Sequence, residues 1–160
     1  MTIAVGDKIP AGKFRSRNSE GNKEITTDEL FAGKKVVLFA VPGAFTPTCQ
    51  ETHLPGFVVA SDELRSKGVD TVACTSLNDH FVLASWAKVT KCEDHILMLA
   101  DGNGDFASAI GLTQDLGRIG LGTRSKRYAM IVDDGVVKYL GVENGPEVGP
   151  SSAKAVLENL

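Results

Sequence analysis

The 160-residue chain has little of what would make a stapled, metal-bound or membrane protein. It carries three cysteines, three histidines and one tryptophan. Cys49, Cys74 and Cys92 are too few and too scattered for a disulfide framework. There is no C-x-x-C. The tetrapeptide ending at Cys49 is Thr46-Pro47-Thr48-Cys49, which argues against a vicinal-dithiol reductase and a zinc knuckle. No two of His53, His80 and His95 stand at a metal-ligand spacing, so no metal is expected. Basic residues are not in excess: 17 Lys+Arg face 20 Asp+Glu, a net charge of −3. A nucleic-acid partner is therefore not expected. No apolar run approaches the roughly 18 residues of a membrane span. The N-terminus, MTIAVGDKIP, lacks a charged segment followed by an apolar one, and is not Arg-rich. Neither a secretory signal nor a transit peptide is expected, and the cytoplasm is the expected compartment.

What is present is an ordinary globular composition, 42% hydrophobic and 23% charged. Residues 1–160 read as one domain, long enough to bury about 68–70% of its unfolded surface. The apolar, β-branched run 36–41 is a strand buried on both faces, ended by Pro42-Gly43. A helical stripe follows in Leu54, Phe57, Val58, Ser61 and Leu64, closed by Gly68. Further strands are expected at 69–74, 96–100 and 128–132. A helix capped at Asn78 carries Phe81, Ala84, Ser85 and Val89, and a short helix covers 105–111. Asp134-Gly135 is a hairpin signal returning the chain along 136–142. Ser151 or Ser152 caps a last helix, 153–160. The order βαβαβαββα implies an α/β, thioredoxin-like fold. Its central sheet is mostly parallel, with an antiparallel edge hairpin and helices on both faces.

The first strand–helix junction holds the chemistry. A cysteine in the first turn of a helix faces free backbone N–H groups and the positive end of the helix dipole, which favour thiolate over thiol. Thr46 lies three residues before Cys49, so its hydroxyl can turn toward the sulfur, and Pro42 and Pro47 stiffen the loop. A lone cysteine here could be simple packing; the loop around Cys49 favours a reactive thiol. His53, four residues on, shares a helix face with Cys49. A Cys–His hydrolase pair is one reading, a capping or packing histidine the favoured one, because no orienting acid is apparent. The string Gly117-x-x-Gly120-x-Gly122 has the wrong order for a dinucleotide fingerprint and precedes a strand. Arg124, Lys126 and Arg127 read first as a solvated basic surface.

The stretch Pro42-x-x-x-Thr46-x-x-Cys49 resembles the peroxiredoxin active-site motif. The longer PGAFTPTCQETHLPGF is similar to the type II, atypical two-cysteine branch. VGDKIP, VACTSLND, LADGNGDF, RSKRYAMIVD and VVKYLGVE extend the resemblance over nearly the whole chain. The resemblance implies a thiol peroxidase acting on hydrogen peroxide and alkyl hydroperoxides without metal, haem or flavin. Cys49 would be the peroxidatic cysteine. Thr46 would bond peroxide and sulfur, and Pro42 would shield the pocket. Arg127, which opens a strand, would be the catalytic cation. Gly43, Phe45, Thr48 and Arg124 would complete the substrate pocket, Arg124 as a supporting charge or surface residue. Cys74 would be either the resolving cysteine or a buried strand cysteine, and Cys92 a bystander. The implied reductant is glutaredoxin with glutathione, or thioredoxin. A homodimer with contacts near Phe45, Phe81 and Asn78-Asp79 is implied by resemblance alone. A redox sensor or holdase that keeps Cys49 but turns over slowly is the rival from another class.

Overall fold

The computed structural model describes residues 2–145 and 147–160. Two strands precede the first one expected from the sequence: β1 (Lys13–Asn18) and β2 (Gly21–Thr26), an antiparallel hairpin. Their residues are mostly exposed and polar, with only Phe14, Ser16 and Ile25 buried. An alternating apolar signal is therefore nearly absent, which is why the pattern does not betray them. Thr26 closes β2 and caps α1 (Thr27–Phe31) in a reciprocal box with Glu29.

The alternating core follows as β3 (Lys35–Ala40), α2 (Leu54–Ser66), β4 (Thr71–Ser76), α3 (His80–Thr90), β5 (Leu97–Ala100) and α4 (Asp105–Ala109). A small hairpin, β6 (Thr113–Asp115) and β7 (Thr123–Ser125), interrupts it. Then come β8 (Tyr128–Asp133), β9 (Val136–Val142) and α5 (Ala153–Glu158). The main sheet runs β2-β1-β5-β4-β3-β8-β9. β3–β4 and β4–β5 are parallel, and β8 and β9 form the antiparallel edge read from the sequence. The β1–β2 hairpin makes the opposite edge antiparallel too.

Period-two alternation decides what each strand offers to each face. Val37, Phe39, Val72, Cys74, Ala129 and Ile131 join the cluster under α2, α3 and α5. Val36, Leu38, Ala73, Met130 and Val132 join the one under α1 and α4. Helices thus cover both faces. Phe39 stacks on Phe57 of α2, centroids 4.1 Å apart, seating the helix that follows Cys49. Asp134 (φ 47) and Gly135 (φ 79) both lie in the left-handed region, as a type I′ hairpin turn demands.

Three local expectations shift. The N-cap of α3 is Asp79, whose carboxylate accepts from the Val82 amide (2.8 Å). Asn78 is instead engaged with the loop after β3, as described below. The helix expected over 105–111 stops at Ala109, since Gly111 is left-handed (φ 74). The helix carrying Cys49 starts at Pro47 and passes through a π turn, Cys49–His53, before α2. Pro55 explains that turn. It has no N–H to give to the carbonyl of residue 51, and its ring collides with that carbonyl in a regular α-helix. The preceding turn widens, and the Leu54 amide reaches the Cys49 carbonyl five residues back. Among the described residues no helix is long and apolar enough to cross a membrane.

Candidate active site

β3 delivers the chain to the loop 41–47 at its C-terminal end. The Val41 amide donates to the Thr75 carbonyl (3.1 Å), and the Ala44 amide to Asn78 Oδ1 (2.9 Å). Ser76 Oγ also donates to that oxygen (2.9 Å), so Asn78 pins the loop to the end of β4. The loop turns tightly: the Thr46 amide and hydroxyl both donate to the Gly43 carbonyl, at 3.4 and 2.7 Å. Thr46 Oγ1 is thus held by its own turn, where the spacing suggested a turn toward the sulfur; its lone pairs remain for an incoming donor. Phe45 occupies the left-handed region at φ 65, a strain of about 1–3 kcal/mol that the surrounding bonds impose. Gly43 sits in a crowded place, where a side chain would push Arg124 or Thr46 aside by a few tenths of an ångström. A Cβ there would stand 3.1 Å from Arg124 Nη1 and 3.3 Å from the Thr46 methyl. Arg124 in turn donates to the carbonyls of Leu121 (2.9 Å) and Pro42 (3.4 Å), propping the loop from behind.

Cys49 is the third residue of the helix that starts at Pro47, and is fully buried. The first intrahelical bond runs from the Gln50 amide to the Thr46 carbonyl (2.9 Å), so the Thr48 and Cys49 amides precede the helical ladder. Arg127, one residue before β8, is buried and donates through Nη2 to Cys49 Sγ at 3.1 Å. Its other terminal nitrogen donates to His53 Nδ1 at 2.9 Å. A guanidinium can only donate, so Nδ1 must be the bare nitrogen, and Nε2–H donates to the Ser151 carbonyl at 2.8 Å. Burial is the main cause that holds His53 down at about 4; the Arg127 charge also lowers it, against the Ser151 bond and Glu143. Among the described residues the one Lys/Arg–carboxylate ion pair is Lys13–Glu24, at 3.6 Å. Arg127 therefore faces the sulfur with no carboxylate to neutralise it.

A cavity of about 480 Å³ opens beside this cluster. Pro42, Thr46, Thr48, Arg127 and Glu143 line it together with Leu116, Ile119 and Leu121. Of the four residues expected to complete the pocket, Thr48 lines it. Gly43 and Arg124 stand behind its wall, and Phe45 leans toward Trp86, ring centroids 6.4 Å apart. His53 stands at the N-cap of α2 without a side-chain cap bond and is not one half of a Cys–His nucleophile pair; it packs against Phe39 and Phe57, and it bridges Arg127 and the loop before α5. The sequence offered one hint, its place four residues after Cys49. Its partners lie 74 and 98 residues away.

All three cysteines are free and buried. Cys74 sits in β4 and faces the same cluster as Cys49. Burial, chiefly, pushes its thiol well above the ordinary range. Burial also raises Cys92, whose sulfur accepts from Thr90 Oγ1 at 3.4 Å.

A family model described as Redoxin matches residues 4–157. The chain is 48% identical over 163 residues to "Peroxiredoxin-2E, chloroplastic" of Arabidopsis thaliana, covering 99% of this chain and 70% of the relative. It is 46% identical to "Peroxiredoxin-2B" of the same organism over 160 residues, with 99% and 98% coverage. A crystal structure of reduced Prx3 from Vibrio vulnificus in complex with hydrogen peroxide superposes with a TM-score of 0.93. It is 49% identical, and 98% of each chain is covered.

The buried neutral ring of His53 makes stability depend on pH. Its value is about 4 in the folded protein against 6.5 ordinarily, so the unfolded chain binds the extra proton between those values. The contribution is complete above the ordinary value and is lost as pH falls toward the folded one, by at most about 1.4 kcal/mol per pH unit. Urea unfolding of the wild type and His53→Gln across this range measures it. The wild type is expected to lose stability more steeply than the variant; parallel curves would contradict the assignment.

Proposed function

The chain belongs to the redoxin family and is a type II peroxiredoxin, a thiol-dependent peroxidase; from that premise we propose that Cys49 is the residue peroxide oxidises. The observation that carries this reading is the 3.1 Å bond from a buried Arg127, which has no carboxylate ion pair and lines a cavity, to the Cys49 sulfur.

In the proposed step the Cys49 thiolate attacks one oxygen of ROOH. The S–O bond forms as the O–O bond breaks, and the electron pair leaves on RO⁻, which takes a proton to become ROH. Cysteine becomes sulfenic acid, the first rung of thiol oxidation. Negative charge moves from sulfur to the leaving oxygen. Arg127 and the amides of Thr48 and Cys49 are fixed dipoles beside that path and stabilise it without reorganising. Thr46 Oγ1, anchored on the Gly43 carbonyl, keeps its lone pairs for the peroxide hydrogen. Pro42 narrows the cavity and helps to position the substrate. The polar residues of the cavity suit hydrogen peroxide, and Leu116, Ile119 and Leu121 in the same lining favour small alkyl hydroperoxides.

The sulfenic acid then condenses with a thiol, releasing water and leaving a disulfide that a second thiol reduces. Cys74 is a candidate resolving residue, but its buried thiol is held protonated, and the thiolate is the attacking form. That favours an external thiol, with glutaredoxin and glutathione or thioredoxin as the reductant. No cofactor enters this cycle. Exposed Phe45 (46%) and Phe81 (55%) support a homodimer through that side of the site. The cytoplasmic reading rests on the sequence; one relative is named chloroplastic and another is not.

Steady-state peroxide consumption by the wild type with a thiol reductant separates a peroxidase from a slow sensor or holdase, and Cys49→Ser is expected to abolish it; retained turnover in the variant would sink the assignment. Mass spectrometry of peroxide-treated protein with glutathione should find Cys49 bound to glutathione, in wild type and Cys74→Ser alike. A dominant Cys49–Cys74 disulfide would instead make Cys74 the resolving residue. Arg127→Ala should slow Cys49 oxidation by about 10²–10³-fold, the usual loss of a donor to developing charge, and Arg124→Ala far less. The reverse ranking in stopped-flow oxidation would refute the choice of arginine.

A further inference from the structure

Resting on that reading of Cys49 and Arg127, we infer that Glu143 is a positioning residue for the catalytic arginine, acting through Ser151 and His53. Residue 143 touches the arginine's neighbourhood at two points. Its backbone amide donates to the Arg127 carbonyl at 2.9 Å, just beyond the last β8–β9 pair, Tyr128↔Val142. Its carboxylate reaches the other way. One oxygen, Oε2, accepts from the Gly149 amide (2.8 Å), the Ser151 amide (2.8 Å) and the Ser151 hydroxyl (2.7 Å). Burial by itself would raise this carboxyl, yet the Ser151 and Gly149 bonds bring it below its ordinary value.

Tyr139 and Gly141, two residues apart on β9, project to one side of the strand, and Glu143 follows just past its end. All three hold the same short segment. Tyr139 Oη donates to the Pro150 carbonyl at 2.7 Å. Gly141 has no side chain where a Cβ would run into that same carbonyl. Glu143 clamps the amides on either side of Pro150. The clamped segment ends in the fully buried Ser151, whose carbonyl accepts from His53 Nε2–H. That bond decides the tautomer, and the tautomer leaves Nδ1 bare to accept from Arg127. Without the fixed carbonyl, the proton can move to Nδ1. The ring then presents a donor to a guanidinium that can only donate, and Nη2 loses its aim at Cys49 Sγ.

The test uses the full-length protein labelled with ¹⁵N-histidine, with the His53 resonances assigned by their loss in His53→Gln. The wild type is expected to show one tautomer, protonated at Nε2 and bare at Nδ1, at neutral pH. Glu143→Ala is expected to mix the tautomers and to slow Cys49 oxidation by hydrogen peroxide about ten- to a hundredfold, the scale of a remote misplacement. Glu143→Gln keeps an acceptor oxygen for the clamp and is expected to rescue both the tautomer and most of the rate. Tyr139→Phe, which frees the Pro150 carbonyl alone, should give a smaller effect of the same kind and covers the case that Glu143→Ala does not fold. A rate loss with the tautomer unmoved, or a Gln variant as slow as the Ala variant, would overturn the inference. Should Arg127→Ala also oxidise at the wild-type rate, the reading of the site fails, not only the role of Glu143.

Discussion

One contact organises this molecule: a buried guanidinium held 3.1 Å from a buried sulfur. A buried cation is costly unless it is paired or hydrogen-bonded. Among the described residues Arg127 has no carboxylate partner; the sulfur and a neutral imidazole take its place. Negative charge at Cys49 is what such a cation favours, both on the thiolate and on the oxygen that leaves it. Much of the surrounding structure is arranged to make that contact geometrically stable.

The support comes from three directions. From β3, the loop 41–47 is drawn into a strained turn by Asn78, Gly43 and Arg124, and releases the chain into a helix at Pro47. From the helix, Pro55 forces a π turn on Cys49–His53 that sets both side chains toward the core. From the far edge of the sheet, β9 grips the segment before α5 and so fixes the partner of His53. These three supports converge on one charge, so the site is stiff where charge develops, with Thr46 and Arg127 facing the cavity. This is the preorganisation that electrostatic catalysis needs.

Much of the plan was legible in the amino-acid order. The short, β-branched apolar run 36–41, ended by Pro42-Gly43, read as a central strand, and Asp134-Gly135 as a tight hairpin turn. The cysteine at a strand–helix junction, and the motif around it, pointed to Cys49, Thr46 and Pro42, while Arg127 was singled out only by the family resemblance at RYAMIVD. What stayed hidden had physical reasons. β1 and β2 are mostly exposed and polar, and β6 and β7 are only three residues long with a single buried residue between them, so burial left little alternation to read. Asn78 and Asp79 are both good cap residues, and only the loop beside them decides which one caps. Phe45 looked like a pocket residue, but a left-handed backbone leaves its ring toward Trp86. His53 does pack, against Phe39 and Phe57, but its bridge to Arg127 stayed hidden because its hydrogen-bond partners are distant in sequence. The π turn did have a signal, Pro55 inside a helical stripe, which went unread because the stripe itself continued.

The central claim is that Arg127 and His53 act as one unit upon Cys49. A double-mutant cycle tests it most directly: the stopped-flow rate of Cys49 oxidation by hydrogen peroxide in His53→Ala, Arg127→Ala and the double variant. If the histidine acts only by aiming the arginine, the double variant oxidises within about twofold of Arg127→Ala alone, the signature of strongly coupled sites. Losses that simply multiply would show two independent contributions and contradict the account.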